Sequence, residues 1–280
     1  MLFRRISIVG VGLIGGSIGL AIKKKKIAAE VTGIGRRRSS IAKAVKLGAV
    51  SSATLDVKKG VEKSDLIIVC TPVNIAVSKI KECARYAKPG AVIMDVTSVK
   101  APIVEKAEAV CRKNKIFFVG AHPMAGLEES GVSAAKADLF KGAVCIITPT
   151  KSTNPKAFSK VRRFWSLLGS KIEIMPAGKH DAAVALISHL PHLIAYTICA
   201  CADAESLKLA GPGFKDMTRI AKSNPVMWHD IFMANKKGII ESKNAFDREM
   251  NNLKNFISKG NSKSLFKTLS AAKRKRDVIG

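Results

Sequence analysis

Aromatic side chains are scarce: tryptophan, tyrosine and phenylalanine together make up 5% of the 280 residues, with two tryptophans and two tyrosines. Any core must therefore be largely aliphatic, and the chain has no basic stretch interleaved with aromatics for stacking single-stranded bases. Acidic residues are also thin, 21 against 48 lysines and arginines, which leaves a net charge of +27. The six cysteines (Cys70, Cys83, Cys111, Cys145, Cys199, Cys201) show neither C-x-x-C spacing nor a finger pattern. That argues against a metal site and for small buried thiols in a reducing cytoplasm. No Ser/Gly/Pro-rich tract and no internal repeat points to disorder or to a solenoid.

What is present is a chain of 47% apolar residues, long enough for two modest domains. Its lysines are spread along the whole length, the densest runs being 23–26 and KRKR at 273–276. With no helix-turn-helix signal, this reads as a basic solvated surface that draws small anions rather than as a nucleic-acid interface. Two apolar stretches have membrane-like composition. ISIVGVGLIGGSIGLAI (6–22) holds five glycines, and AAVALISHLPHLIAYTICACA (182–202) carries two histidines and a proline near its middle. The first is poor material for an anchor and the second for hydrocarbon, so both are expected inside a soluble, cytoplasmic protein without membrane contact.

Short apolar runs alternate with longer helical patterns up to about residue 175. RISIV (5–9), EVTGIG (30–35), DLIIVC (65–70), AVIMDV (91–96), KIFFVG (115–120), GAVCIIT (142–148) and KIEIM (171–175) read as strands. Near-continuous Val/Ile runs joined by helices predict an α/β, Rossmann-type domain with a mostly parallel, doubly wound sheet. After Pro176 the strand signal stops and the rest reads as helix. The expected division is a dinucleotide-binding domain at 1–176 and an all-α domain at 177–280.

GVGLIG places Gly10, Gly12 and Gly15 in G-x-G-x-x-G spacing, directly after a strand and at the start of a helix. In that context the first glycine makes the turn and the second admits a pyrophosphate. The third packs helix on strand, and the helix start faces the anion. An NAD site commonly has an acid about 20 residues on; here Gly35 is followed by Arg36, Arg37 and Arg38. Guanidinium groups suit a 2′-phosphate, which favours NADP, whereas arginines that are plain solvated charge would leave NAD. Ligands of such sheets sit beyond the carboxyl ends of the strands. Thr71 and Pro72 follow one strand, Ser98 the next, and His122 the next. The candidate cofactor contacts are Gly10, Gly12, Leu13, Ile14, Gly15, Arg36, Arg37, Thr71 and Pro72. His122 is the candidate general base, with Ser98 sharing its hydrogen-bond network.

GVGLIGGS, TPV, DVTSVK, GAHPMAGLEESG, SHLPH and GFKDMTRIAKSNPVMW, in this order, resemble the prephenate/arogenate dehydrogenases of tyrosine biosynthesis. The resemblance runs from about residue 4 into the 240s and weakens in the last 40 residues. It implies NAD(P)-dependent oxidative decarboxylation of prephenate to 4-hydroxyphenylpyruvate, with arogenate as the alternative substrate. It also implies a homodimer and leaves room for feedback by tyrosine. On matching positions, His122 takes the proton of the substrate hydroxyl, and Ser98 bonds that hydroxyl and orients His122. Arg219 pairs with a substrate carboxylate, Asp216 steadies Arg219, Trp228 covers the substrate, and Glu128 stands near the mouth. His189 and His192 of SHLPH contact the substrate from a helix that Pro191 kinks, or else are core histidines satisfied by carbonyls. His180 and His229 are expected to be surface or structural. Leu127 and Pro212 depart from residues frequent in the family, threonine and glycine respectively. At this length a single activity without a regulatory domain is expected. A hydroxyacid or imine reductase with the same first domain would not need the HPMAG or Arg219 segments, and a nucleic-acid binder would show no turnover.

Overall fold

Successive side chains of a strand point to opposite faces, so a strand that is apolar throughout needs cover on both sides. The computed structural model, which describes residues 1–127 and 129–278, meets this with an eight-stranded sheet between helices. In chain order the strands are β1 (Phe3–Val9), β2 (Ala28–Ile34), β3 (Ser52–Thr54), β4 (Leu66–Val69), β5 (Val92–Asp95), β6 (Phe117–Pro123), β7 (Val144–Thr148) and β8 (Lys171–Ile174). The helices between them are α1 (Leu13–Lys24), α2 (Arg38–Lys46), α3 (Val57–Val61), α4 (Val73–Tyr86), α5 (Ala101–Lys113) and α6 (Pro155–Leu167). The sheet order is β3-β2-β1-β4-β5-β6-β7-β8, parallel except where β7 runs antiparallel to β6. Chain direction reverses across the sheet between β1 and β4, where such folds open a crevice.

Alternate residues of one strand enter different cores. Ile6, Ile8, Leu66, Ile68 and Met94 pack beneath α1 and α6 with Phe164 and Trp165. Ile67, Val69 and Ile93 pack beneath α4 and α5 with Ile80 and Ile103. Each such fully buried aliphatic contributes about 1.5–3 kcal/mol. Trp165, the largest fully buried side chain, donates its indole N–H to Met94 Sδ at 3.2 Å.

Seven of the strands coincide with expected apolar runs. The eighth, β3, is a three-residue edge strand of sequence SAT, too short and polar to leave a period-two signal. Beyond β8 the chain is helical: α7 (Ala177–Val184), α8 (Leu190–Cys201), α9 (Ala204–Lys208), α10 (Pro212–Thr218), α11 (Pro225–Ala234), α12 (Lys236–Ser258) and α13 (Ser262–Asp277). A widened π turn, Ala185–His189, joins α7 to α8. Pro191 has no N–H for the carbonyl four residues back and crowds it, and the π turn absorbs that defect. The apolar stretch Ala177–Cys201 is thus one continuous helical segment, long and apolar enough by composition to cross a membrane, with 28% of its window buried. Leu186 and Ile187 on it are exposed. The cysteines are not uniformly interior: Cys83, Cys111 and Cys145 are buried, but Cys201 is exposed near the end of α8, where no second layer covers it.

The helical part joins the sheet at two places. Trp228 and Ile231 of α11 belong to the core under α4, and α7 lies against α5. At the second place Asp181 of α7 accepts the backbone N–H of Lys100 at 2.7 Å and of Ala101 at 2.8 Å. No side chain near α5 caps it, so a carboxylate from the helical part does.

Just below this cap, Lys100 Nζ forms an ion pair with Asp95 and donates to Ala121 O at 2.8 Å; Lys100 and Asp95 are both fully buried. Removing the carboxylate would strand a buried ammonium. Asp95→Ala is expected to cost about 3–5 kcal/mol in urea unfolding. A loss under about 1 kcal/mol would show that the pair does not hold the end of β5.

Candidate active site

Four strand ends converge on one cavity of about 1050 Å³. The turn after β1 supplies Gly12, Leu13 and Ile14, the turn after β4 Thr71 and Pro72, the turn after β5 Ser98, and β6 itself His122. The opposite wall comes from the helical part: His189, His192, Arg219 and Trp228.

The glycine turn is built for close approach. Gly10 has φ +94°, and a Cβ at Gly15 would stand 2.2 Å from Gly10 O, so neither position accepts another residue without movement. Around Gly12, by contrast, a Cβ would meet nothing within 4 Å. That open space lies at the start of α1, where no side chain caps the helix and its N–H groups remain available to an anion. Thr71 Oγ1, buried in the same cavity wall, has no hydrogen-bond partner among the described residues. An open cradle beside an unsatisfied hydroxyl fits a dinucleotide. Gly12, Leu13, Ile14 and Thr71 are the residues that would hold it.

Gly10 N–H donates to Ile34 O at 2.8 Å, which sets the end of β2 beside the glycine turn. Arg36 and Arg37 follow that end and are exposed, without lining the cavity. Asp216 is exposed on α10 and also lies off the cavity wall, because that side of the helix faces solvent. Glu128 lies outside the described residues.

His122 stands at the cavity end of β6, and its partner corrects the expectation about Ser98. His122 Nδ1 is 2.8 Å from His180 Nε2, and His180 Nδ1 is 2.7 Å from Asp181 Oδ1. Ser98 lines the cavity, but His180 orients the ring, because α7 brings His180 against β6 from behind. Of the two expectations for His180, surface or structural, the second holds: it is fully buried between Asp181 and His122. His229, by contrast, is exposed.

The chain of bonds fixes each tautomer. A carboxylate only accepts, so His180 carries its proton on Nδ1 and presents a lone pair at Nε2. His122 must then donate from Nδ1, which leaves its Nε2 as an unprotonated acceptor. Burial is the main reason that His122 is held well below the ordinary histidine value, with the charges of His180, Lys100 and His189 adding to it. The imidazole is thus neutral at physiological pH, with a lone pair on Nε2.

The other two histidines are fixed as firmly. His189 Nδ1 accepts from Asn235 Nδ2 at 3.1 Å, which leaves Nε2–H as its donor. The same Asn235 amide donates to Asp181 O at 2.8 Å, tying His189 to the segment that orients the base. His192 donates from Nδ1 to Ser188 O at 2.9 Å and stacks on Trp228 at 3.5 Å between centroids. A carbonyl satisfies His192, and an amide rather than a carbonyl satisfies His189; both residues line the cavity. Trp228 Nε1 is buried in the same wall without a partner among the described residues. Sequence reasoning missed His180, Asp181 and Asn235. Adjacent His-Asp at the first helix beyond the last strand was the available signal.

A glycine cradle, a neutral imidazole and an arginine across one cavity are the features of a two-domain, dinucleotide-dependent oxidoreductase. Comparison with known proteins narrows the class. Residues 18–174 match the family model described as prephenate dehydrogenase, nucleotide-binding domain, and residues 176–271 match prephenate dehydrogenase, dimerization domain. The chain is 34% identical to a prephenate dehydrogenase of Bacillus subtilis over 98% of its own length and 76% of that enzyme's. The crystal structure of prephenate dehydrogenase from A. aeolicus in complex with hydroxyphenyl propionate and NAD+ superposes with a TM-score of 0.92 at 34% identity, covering 99% of this chain and 98% of that one. Arogenate dehydrogenase of Synechocystis follows with a TM-score of 0.85 at 30% identity, covering 99% of this chain and 100% of that one. The chain belongs to the prephenate dehydrogenase family of oxidoreductases.

The histidine cluster has a consequence for stability. His122, His180, His189 and His192 are all lowered by burial, His189 to about 4. Unfolded, each binds a proton near pH 6.5. Between pH 6.5 and the folded-state values the unfolded chain therefore holds more protons, and stability falls as pH falls. The urea midpoint should drop steadily from pH 7 to pH 5. A midpoint that holds or rises over that range would contradict the neutral, buried cluster.

Proposed function

We propose that this protein catalyses the NAD(P)-dependent oxidative decarboxylation of prephenate to 4-hydroxyphenylpyruvate in tyrosine biosynthesis, with arogenate as the alternative substrate. The observation that carries the reading is the oriented imidazole: His122, held by His180 and Asp181, opens its unprotonated Nε2 to the cavity that Arg219 also lines. When bound, the nicotinamide supplies the hydride acceptor. His122 Nε2 accepts the proton of the substrate's ring hydroxyl as hydride leaves the carbon that bears it. Ser98 donates to the oxygen of that hydroxyl and holds it in place. Carbon dioxide departs as the ring becomes aromatic, so much of the driving force is the substrate's own. The protein's task is geometry, one base and a cation.

Arg219 pairs its planar fork with a substrate carboxylate. His189 offers Nε2–H and His192 an Nε2 acceptor to the substrate side chain, and Trp228 closes over it, its indole N–H available to the same ligand. Arg36 and Arg37, beside the cofactor cradle, favour NADP through its 2′-phosphate. The working units are a dinucleotide-binding domain at 1–176 and a helical substrate-binding and dimer-forming domain at 177–280. Exposed Leu186, Ile187, Met233 and Ile240 on the helical part give a second copy of the chain an apolar surface. The setting is cytoplasmic.

Reduced nicotinamide should form when the protein is mixed with prephenate and NADP+ or NAD+, faster with NADP+. His122→Asn should keep cofactor affinity and lose turnover by roughly two to four orders of magnitude. No reduction with either prephenate or arogenate, in folded protein, would remove the reading. Undiminished turnover in the variant would remove His122 as the base.

A further inference from the structure

We propose that Lys136 binds the pyrophosphate of the dinucleotide from the side opposite the start of α1, so that the anion is held between helix N–H groups and an ammonium. The proposal rests on the cofactor reading above. Three observations carry it. First, Lys136 lines the same cavity as Gly12, Leu13 and Ile14 and is exposed to it. Second, its position is fixed rather than accidental. Lys136 N–H donates to Ser17 Oγ at 3.0 Å, and Ser17 is fully buried on α1. The 3-10 turn before it, Val132–Ala134, packs on α1 and α2 together. The approach is so close that a Cβ on Gly16 would come within 2.9 Å of Val132 Cγ2 and 3.0 Å of Ala135 Cβ. This segment therefore sits as a strap over the first turns of α1. Third, among the described residues the Lys136 ammonium has no ion-pair partner, and α1 has no acidic residue in its first turn. The glycine turn thus has helix N–H donors and one ammonium in the same cavity wall, which also holds Glu129 and Asp230 farther along the lining.

A lysine in that place has little to do for the fold. Its side chain is exposed, and the strap is held by its backbone and by Val132 and Ala135. Toward a pyrophosphate it supplies a charge-assisted hydrogen bond, while the helix start supplies neutral N–H donors. The two halves of the clamp come from different parts of the sequence, which explains why the glycine motif alone did not reveal Lys136.

The test is binding, not turnover. Affinities of NAD+, NADP+ and ADP-ribose are measured by calorimetry on the wild-type protein, Lys136→Met and Lys136→Arg. Lys136→Met is expected to weaken all three ligands by a similar factor, about tenfold, the scale of one charge-assisted hydrogen bond, and Lys136→Arg to recover most of it. Unchanged affinities in Lys136→Met, with a wild type that binds, overturn the proposal and leave the cofactor reading intact. A loss confined to NADP+ overturns it too, because it assigns the ammonium to the 2′-phosphate. A wild type that binds none of the three overturns both.

Discussion

One carboxylate organises this molecule. Asp181 accepts two backbone N–H groups at the start of α5, which belongs to the sheet domain, and the Nδ1–H of His180 on its own helix. The first pair of bonds docks the helical part on the sheet. The third sets the proton on His180, and through it the proton on His122. Domain docking and the tautomer of His122 are therefore one arrangement. A shift of α7 large enough to free α5 would also unfix the imidazole. Asn235, which bonds both the Asp181 carbonyl and His189, extends the same constraint to the far wall of the cavity.

Around this point the protein balances two electrostatic demands. Its surface carries the large positive excess, which favours a dianionic substrate and a phosphate-rich cofactor at long range. Its interior holds imidazoles kept neutral and fixed in orientation. Burial supplies most of that neutrality, and the buried Lys100 ammonium adds to it for His122 and His180. Lys100 is tolerated there because Asp95 and Ala121 O take up its charge and its protons. The same lysine thus ties the end of β5 to β6 at the residue just before His122.

How much of this was legible in the sequence follows from which residues carry local signals. The central strands were plain because both of their faces are buried, and Val/Ile runs have no other economical reading. β3 was invisible because an edge strand of Ser-Ala-Thr is neither apolar nor alternating. The glycine turn, Thr71, Ser98 and His122 could be found because strand ends map the crevice. His180 carried one local signal, the adjacent Asp181, but its meaning lies in a contact 58 residues distant. Nothing in its neighbourhood says that α7 packs behind β6. The orienting role of Ser98 came with the family resemblance, whereas the bond of His122 goes to His180, a side chain that arrives from the helical part. Pro191 was expected to kink a helix, and the chain answered with a wider turn upstream that keeps the helix continuous.

The central claim concerns where two protons sit, and nitrogen-15 spectroscopy of the histidine rings reads that directly. At pH 7 the account predicts that His122 and His180 are both neutral and both protonated on Nδ1, with Nε2 of each ring showing the shift of an unprotonated nitrogen. Finding His122 charged, or carrying its proton on Nε2, would contradict it.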